Sequence, residues 1–246
     1  MPLLVLKFGG TSIGSCEKIT KVAKLIKKYH DKKNKIIVVS SAMTGVTNDL
    51  IKKSRRISDK FEKSEYDVLV SAGEQIACSL LAGSLIKLGL KSRSWLSWQI
   101  PILTDGKYAS SRIKKIDTKD VLSFINKGGI PVITGFQGIS IDKRVTTIGR
   151  GGSDASAIAI AKFFSADSCI IYTDVHGVYT TDPQVNLKAK KINKISYEEM
   201  LEMASLGARV MQPTSVQDAM LNNIKIEVKS TFSRKSGTKI IDERNI

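Results

Sequence analysis

The feature that most limits the fold of this sequence is a regular alternation between apolar, strand-like runs and segments with helical periodicity. Five runs are typical of buried strands: LLVLKF, KIIVVSS, IPVITGF, SCIIYTD and KIEVKST. Segments between them, such as EKITKVAKLIKKYH, repeat apolar residues at the spacing of one helix face. Strands that alternate with helices predict βαβ units. We therefore expect an α/β fold with a mostly parallel sheet and helices on both of its faces.

Three further segments predict helices. The stretch EYDVLVSAGEQIACSLLAGSLIKLGL is typical of a turn followed by a long, largely buried helix. SDASAIAIAKFF predicts a helix rich in small residues, and SYEEMLEMASLGARVM predicts an amphipathic one. No Pro-, Gly- or Ser-rich linker interrupts the pattern, so we expect one domain with two lobes over residues 1–246.

The composition argues against several protein classes. A chain of 246 residues with 42% hydrophobic and 25% charged residues has the make-up of a globular protein. Its cysteines, Cys16, Cys78 and Cys169, are widely spaced, which argues against a disulfide framework or a zinc site and fits a reducing cytosol. No segment has the length and hydropathy expected of a membrane span, and the N-terminus is a poor signal peptide. We therefore expect a cytoplasmic protein without a membrane partner.

The net charge of +16 raises the question of a nucleic-acid partner. Most of this charge comes from lysines spread along predicted helices, and the sequence contains neither an RNP signature nor a helix-turn-helix signature. A lysine-rich solvated surface therefore explains the charge better than a nucleic-acid site. Such a surface also attracts anionic substrates such as ATP, though only modestly at cellular salt.

Chemically useful residues cluster where the predicted strands end. In open parallel sheets, ligands bind outside the carboxyl ends of the strands, and the ends here are KFGG, SSAMTG, TGFQG and YTDVHG. In KFGGTS, Gly9 and Gly10 let backbone N–H groups approach an anion, and Lys7 adds a positive charge suited to phosphate. The motif is not a Walker A sequence, and a Gly-Gly turn beside an edge lysine explains it equally well.

The stretch GRGGSD combines flexible backbone with charge at the start of a predicted helix. Its glycines free the backbone, and Ser153 or Asp154 can cap the helix. Capping does not explain Arg150, since a guanidinium at a glycine-rich turn suits a carboxylate or a phosphate. If Lys7 and Asp154 meet, the aspartate orients the lysine. We favour this functional interpretation over an ordinary capped turn.

Two further motifs remain open on the residues alone. SAGEQIA predicts Glu74 at the start of a helix, where its carboxylate either interacts with the helix dipole or faces a ligand amine. YTDVHGVYTTDP carries Thr and Asp residues that either hydrogen-bond a nucleotide or form ordinary turns. His176 lies in this loop without a partner nearby, so we interpret it as a loop residue rather than a base or a metal ligand.

Taken in order, these motifs resemble the aspartate kinases of the amino acid kinase family. The ordered set is KFGGTS, VVSSAMTGVTNDL, SAGEQIA, SWQIPILTD, VITGFQG, TTIGRGGSDASAIAIA, IYTDVHGVYTTDPQV and EEMLEMASLGARVMQP. KFGGTS, GRGGSD and YTDVHGVYTTDP together distinguish these enzymes from the carbamate, acetylglutamate, glutamate-5- and uridylate kinases. The resemblance covers nearly the whole chain and implies a three-layer α/β/α sandwich around a largely parallel central sheet.

The resemblance also implies an activity. Residues 1–246 would form one catalytic domain, with the N-terminal half mainly the substrate lobe and the C-terminal half mainly the nucleotide lobe. The implied reaction converts L-aspartate and ATP, with Mg²⁺, into 4-phospho-L-aspartate and ADP, the first step towards lysine, diaminopimelate, threonine and methionine. The partners implied are these substrates and a second copy in a homodimer, with neither nucleic acid nor membrane.

Individual residues take roles by the same resemblance. Lys7 and Asp154 match the catalytic pair, in which Asp154 holds the lysine that meets the developing charge. Positions that match the aspartate site are Thr47, Glu74, Arg150, Gly151, Gly152 and Ser153. Among them, Glu74 corresponds to the contact with the α-amino group and Arg150 to that with the α-carboxylate. Positions that match the ATP site are Lys7, Phe8, Gly9, Gly10, Ser41, Thr173, Asp174, Tyr179, Asp182, Gln184 and Arg209. No metal ligand is assigned to the protein.

The sequence departs from the family pattern in three places. Gln184 stands where the family usually has Arg, and Arg209 stands where it usually has Lys, so we expect altered ATP affinity. Family members usually continue into paired ACT regulatory domains, and none follows here up to Ile246. For a complete chain we therefore expect no feedback by lysine or threonine through such domains in this polypeptide. Whether a separate regulatory subunit exists is left open.

Two other functions are also left open. An amino acid kinase with a different substrate is disfavoured by the presence of Thr47, Glu74 and Arg150. A catalytically weak relative, which binds nucleotide or amino acid or serves as a partner for a regulatory chain, is motivated by Gln184 and by the missing C-terminal region. The intact Lys7 and Asp154 count against it.

Overall fold

The computed structural model describes residues 1–183, 185–208, 210–233 and 235–246. The strands in these residues are β1 (Leu3–Phe8), β2 (Lys35–Ser40), β3 (Ser92–Trp95), β4 (Ile102–Thr104), β5 (Ile113–Ile116), β6 (Ile130–Thr134), β7 (Gln137–Ile139), β8 (Val145–Thr147), β9 (Ser168–Thr173), β10 (Lys194–Ser196), β11 (Ile226–Ser230) and β12 (Thr238–Ile241). The α-helices are α1 (Cys16–Asp31), α2 (Val46–Ile57), α3 (Lys63–Lys87), α4 (Lys119–Asn126), α5 (Gly152–Phe163), α6 (Tyr197–Ser205) and α7 (Pro213–Leu221).

The main sheet has the strand order β10-β12-β11-β9-β1-β2-β6-β3. Neighbouring strands run parallel, except for β11 and β12, which are antiparallel. β1 lies in the interior of the sheet, where Leu6 pairs with Ile170 of β9 on one side and with Val38 of β2 on the other. The predicted α/β fold with a largely parallel central sheet is therefore confirmed.

Side chains of the main sheet alternate between two hydrophobic clusters, one on each face. Leu6 and Phe8 of β1 belong to the cluster that contains the buried residues of α1 and α3. Val5 belongs to the cluster formed with α4, α5, α6 and α7. Helices therefore cover both faces, which gives the three layers of the expected α/β/α sandwich. The same period of two places Lys7 on the face of Val5, towards α5.

Helix α3 corrects two predictions. It begins at Lys63, so the segment expected to form a turn before the helix is itself helical. By length and composition, α3 is also long and apolar enough to cross a membrane. The prediction that no segment has the length and hydropathy of a membrane span is therefore wrong for this helix. Half of its most apolar window is buried, where α3 packs against α1, β3 and β6. A helix that is buried among several neighbours is apolar for that reason.

The segment predicted as one amphipathic helix is shorter than expected, because α6 ends at Ser205. Its start is well defined: the Glu199 N–H donates to Ser196 Oγ at 3.0 Å, and the Ser196 N–H donates to Glu199 Oε2 at 2.9 Å. This reciprocal pair is a capping box. A further helix, α7, was not predicted; it begins at Pro213, where proline fits the first turn.

A second sheet, also not predicted, has the order β5-β4-β7-β8. Its strands are three or four residues long, too short for an alternating pattern to be recognised in the sequence. β8 ends at Thr147 and leads through a glycine-rich turn into α5 at Gly152. The second sheet therefore fixes the approach to that turn.

Candidate active site

The carboxyl ends of β1, β2 and β6 meet the start of α5 around a cavity of about 800 Å³. Because these three strands are parallel, the residues that follow them lie at one edge of the sheet. The residues singled out in the sequence that line the cavity are Lys7, Gly9, Gly10, Ser41, Thr47, Glu74, Arg150, Gly151, Gly152, Ser153 and Asp154. The structure thus brings together the whole expected substrate side and part of the expected ATP side.

Lys7 and Asp154 form an ion pair at the wall of this cavity. The Nζ atom of Lys7 lies 2.6 Å from Oδ1 of Asp154. Lys7 projects from β1 towards α5, and Asp154 lies in the first turn of that helix. The two side chains are only 11% and 13% exposed, so water competes weakly for the contact. The ammonium has three donor hydrogens, so donors remain for an anion in the cavity while Asp154 fixes its direction.

The turn before α5 is built on a left-handed glycine. Gly151 has φ +70° and is the residue that precedes the helix, and no side chain caps it. The prediction that Ser153 or Asp154 caps α5 is therefore wrong, because both lie inside its first turn. The N–H groups of Asp154 and Ala155 donate to the Gly151 carbonyl instead. Ser153 and Asp154 are thus free to line the cavity, beside the partial positive charge of the helix N-terminus.

Arg150 presents a free cation to the same cavity. Its side chain is exposed, and it makes no ion pair with any residue in the described parts of the chain. The guanidinium is therefore available to accept a carboxylate from solution, in the bidentate geometry that suits it.

Glu74 lies near the middle of α3 rather than at a helix start, so an interaction with the N-terminal helix dipole is excluded. Its side chain is 3% exposed. Oε1 accepts the Ala42 N–H at 3.0 Å, whereas Oε2 is buried without a hydrogen-bond partner among the residues that the structure describes. Burial raises the pKa of Glu74 to about 7, partly offset by the Ala42 hydrogen bond. A cationic ligand therefore strongly stabilises the ionised form of this buried carboxylate.

Backbone and small side chains complete the edge of the cavity. After β1, Gly10 passes so close to the chain after β2 that a Cβ at this position would lie 2.8 Å from the Ala42 carbonyl oxygen. The Ser41 N–H donates to the Phe8 carbonyl at 3.1 Å, which joins the ends of the two strands. Thr47 lies in the first turn of α2 and borders the cavity beside α3.

The other residues assigned to ATP that the structure describes do not line this cavity. Phe8 is fully buried and stacks on Tyr172, with ring centroids 4.8 Å apart. Thr173 ends β9, and its hydroxyl hydrogen-bonds Asp174 at 3.0 Å. The other members of this group that the structure describes are Tyr179 and Asp182, in the loop that follows β9. Gln184 and Arg209 lie outside the described residues.

Several cavity residues carry no sequence signal. Ala42 acts through its backbone N–H, which any residue provides. Phe136 follows β6 with φ +66°, and its N–H donates to Ser156 Oγ at 3.0 Å. Arg55 and Tyr66 reach the cavity from α2 and α3. An arginine and a tyrosine on amphipathic helices are ordinary surface residues in sequence, so only the packing of these helices identifies them.

Comparison with known proteins identifies the fold. The sequence profile of the amino acid kinase family matches residues 2–230. This chain belongs to the amino acid kinase family. Among curated proteins, the chain is 46% identical to an aspartate kinase of Stutzerimonas stutzeri (strain A1501) over 244 residues, or 99% of this chain and 59% of that protein. The chain spans about 60% of the length of the curated relatives it matches.

Solved structures resemble this chain over almost its whole length. Aspartate kinase from Synechocystis gives a TM-score of 0.88 at 38% identity, covering 98% of this chain and 40% of that one. E. coli aspartokinase III, solved in complex with aspartate and ADP, gives a TM-score of 0.88 at 26% identity, covering 98% and 64%. The Synechocystis protein is named an aspartate kinase, and E. coli aspartokinase III holds aspartate and ADP in its crystal structure.

Proposed function

We propose that this chain is the catalytic domain of an aspartate kinase, which transfers the γ-phosphoryl group of ATP to the side-chain carboxylate of L-aspartate. One observation carries the proposal: the cavity holds both the guanidinium of Arg150 and the Oε2 atom of Glu74, neither of which has a partner among the residues that the structure describes. An α-amino acid offers a carboxylate and an ammonium group that complement these charges. The relatives named aspartate kinases, and the aspartate and ADP bound by E. coli aspartokinase III, support the same pair of substrates.

On the substrate side, Arg150 would receive the α-carboxylate and Glu74 the α-amino group. With both α-groups held, the side-chain carboxylate is left as the nucleophile. The remaining contacts on this side are assigned to Thr47, Gly151, Gly152 and Ser153, which line the same wall. An amino acid without a side-chain carboxylate has no nucleophile left once its α-groups are held, so we expect no acyl phosphate from it.

On the nucleotide side, we assign the phosphates to Lys7 and the glycines after β1, with Ser41 beside them. Thr173, Asp174, Tyr179 and Asp182, with Phe8, Gln184 and Arg209, are proposed for the rest of the nucleotide. Groups of three or more His, Cys, Asp or Glu able to hold a metal are absent from the described residues. Mg²⁺ is commonly bound through substrate phosphates and water, so we propose that it enters as MgATP.

In the proposed reaction, a carboxylate oxygen of aspartate forms a bond to the γ-phosphorus as the bond to the β,γ-bridging oxygen breaks. The products are the acyl phosphate and ADP, and no general base is needed because the nucleophile is already ionised. Catalysis then consists of positioning and of charge stabilisation. Lys7, oriented by Asp154, supplies positive charge where the transferring phosphoryl group carries negative charge.

Wider features of the proposal follow from the family resemblance. We propose that the N-terminal half forms mainly the substrate lobe and the C-terminal half mainly the nucleotide lobe. A homodimer, a cytoplasmic location and a role in the synthesis of lysine, diaminopimelate, threonine and methionine belong to the same proposal. The cysteines, none of which forms a disulfide within the described residues, fit a reducing compartment.

The test is ADP release by the purified chain with MgATP, with and without L-aspartate, while hydroxylamine traps the acyl phosphate. We expect hydroxamate that depends on aspartate, and much less with glutamate, asparagine or alanine. Hydroxamate from another amino acid in place of aspartate would indicate a different substrate. A folded chain that binds ATP without turnover would favour the alternative of a weak relative that acts with a partner subunit.

A further inference from the structure

Asp67 is a fully buried carboxylate that has no part in the proposed chemistry. It lies in the second turn of α3 and is 0% exposed. Ion pairs with Asp67 are absent among the residues that the structure describes. A carboxylate buried without a cation is costly unless several hydrogen bonds satisfy it. Burial raises the pKa of Asp67, and its hydrogen bonds oppose this increase.

Three donors from two distant segments converge on this carboxylate. Oδ2 accepts the N–H of Ala109 at 3.0 Å and the N–H of Thr147 at 2.8 Å. Oδ1 accepts the Thr147 hydroxyl at 2.7 Å. Ala109 belongs to the loop between β4 and β5, whereas Thr147 is the last residue of β8. The carboxylate therefore ties α3 to two segments of the second sheet.

Both segments line the cavity, and they also touch each other. Ala109 and Thr147 are cavity residues, and Gly149 and Arg150, two and three residues after Thr147, line the same cavity. The Ser111 N–H donates to the Thr147 carbonyl at 2.9 Å. Ala109 has φ +63°, a left-handed conformation that is unfavourable for alanine. Such a conformation persists only where the surroundings hold it, and Asp67 accepts the N–H of this residue.

We propose that Asp67 is a positioning residue: by holding Ala109 and Thr147 together it preforms the cavity wall that leads into the Arg150 turn. It touches neither substrate and acts only through these two segments. Its effect falls on the amino acid side, because the nucleotide residues after β1 and β9 are not attached to it. The identity of the substrate affected rests on the function proposed above.

The test compares Asp67→Ala with Asp67→Asn. Alanine removes all three hydrogen bonds. Asparagine keeps an oxygen for the two N–H groups, and its NH₂ group can donate to the Thr147 hydroxyl, which then accepts. We expect D67A to raise the KM for L-aspartate on the order of tenfold while the KM for MgATP changes less than twofold. D67N should stay within about threefold of wild type on both.

Cys78→Ala is the matched control for lost stability. Cys78 is equally buried in α3, and its Sγ donates to the Val132 carbonyl of β6 at 2.9 Å rather than to either of the two segments. C78A should weaken the fold without changing the KM for aspartate. A rise of the same size in C78A, an equal rise for MgATP in D67A, or a D67N variant as impaired as D67A would overturn the proposal.

Amide hydrogen exchange provides a readout that does not depend on the substrate. In the free protein, D67A should exchange faster than wild type at residues 105–111 and 145–150, whereas C78A should not. Unchanged exchange in these segments would overturn the positioning role even if the enzyme is an aspartate kinase. Faster exchange in a protein without aspartate kinase activity would support the positioning role while the proposed function fails.

If D67A does not fold, Thr147→Val removes one of the three donors to Asp67. This variant should give the same changes in KM and in amide exchange, but smaller ones.

Discussion

The charged side chains of the cavity differ in whether the fold already supplies them with a partner. Glu74 keeps one oxygen without a partner, and Arg150 is free of ion pairs among the described residues. Lys7, in contrast, is paired with Asp154 at 2.6 Å before any substrate arrives. Glu74 and Arg150 are therefore available to a ligand, whereas Lys7 and Asp154 are already paired with each other. Substitutions at the two kinds of residue should therefore have different consequences.

Lys7→Met removes the cation assigned to the transferring phosphoryl group. We expect turnover to fall on the order of a hundredfold or more, because charge stabilisation of this kind typically contributes that much. Hydroxamate formation at saturating MgATP and aspartate measures the effect. Lys35→Met is the matched control, since Lys35 begins the neighbouring strand β2 at the opposite end of the sheet and contacts Asn126. Equal losses in both variants would contradict the role of Lys7.

The burial of Glu74 predicts a pH-dependent stability. Its pKa is raised from 4.5 to about 7 in the folded protein, so the folded state holds a proton that the unfolded chain releases between these values. The free energy of unfolding should therefore fall as pH rises through this window, by about 3 kcal/mol in full. Glu74→Gln removes this contribution.

Urea unfolding of wild type and E74Q at pH 4.5 and pH 8 measures the effect in the absence of substrate. The free energy of unfolding of wild type relative to E74Q should be lower at the higher pH. Because all other titrating groups are shared, their contributions cancel in this difference. A difference that stays constant with pH would mean that Glu74 titrates normally.

Among the secondary-structure elements, the turn before α5 has the most demanding geometry. Gly151 has φ +70°, and a Cβ there would collide with the Gln212 side chain at the start of α7. Gly151→Ala should cost about 1–2 kcal/mol for the left-handed conformation and about 1–3 kcal/mol more for overpacking. It should also raise the KM for aspartate, because Arg150 is the adjacent residue.

Gly89→Ala separates these two costs. Gly89 has φ +78°, but a Cβ there meets nothing within 4 Å. This variant should lose only the conformational part of the unfolding free energy and should keep its KM. Denaturant unfolding and steady-state kinetics of both variants make the comparison. Identical losses of stability and affinity at the two positions would show that the contact with Gln212 does not matter.

The predictability of each element depends on its length and on its ends. β1 and β9 were predicted because six-residue apolar runs are long enough to be recognised. The start of α3 was not, because Glu62 precedes the helix without a side-chain hydrogen bond to cap it. Because no capping residue marks the start of α3, Glu74 was predicted at the start of a helix, whereas it lies near the middle of one. The strands of the second sheet were not predicted, because three or four residues are too few to show an alternating pattern.

For the molecule as a whole, the sequence predicted which residues share a site better than how they are held there. Strand ends in a parallel sheet converge, so Lys7, Gly9 and Ser41 could be grouped without coordinates. The partners that hold the site are backbone atoms and a buried carboxylate, such as the Ala42 N–H and Asp67. Any residue supplies an N–H, and Asp67 lies in an otherwise ordinary helical pattern, so packing alone identifies both.

Because β1 lies in the interior of the main sheet, the centre of the fold cannot be completed early in synthesis. β2 supplies one neighbour within the first part of the chain, but the other neighbour, β9, begins only at Ser168. Until then one edge of an apolar strand stays unpaired, and such an edge is a template for pairing with other chains. At about 5–20 residues per second, a ribosome leaves this edge open for on the order of ten seconds. The strand that anchors Lys7 in the finished protein is thus an aggregation risk in the nascent one.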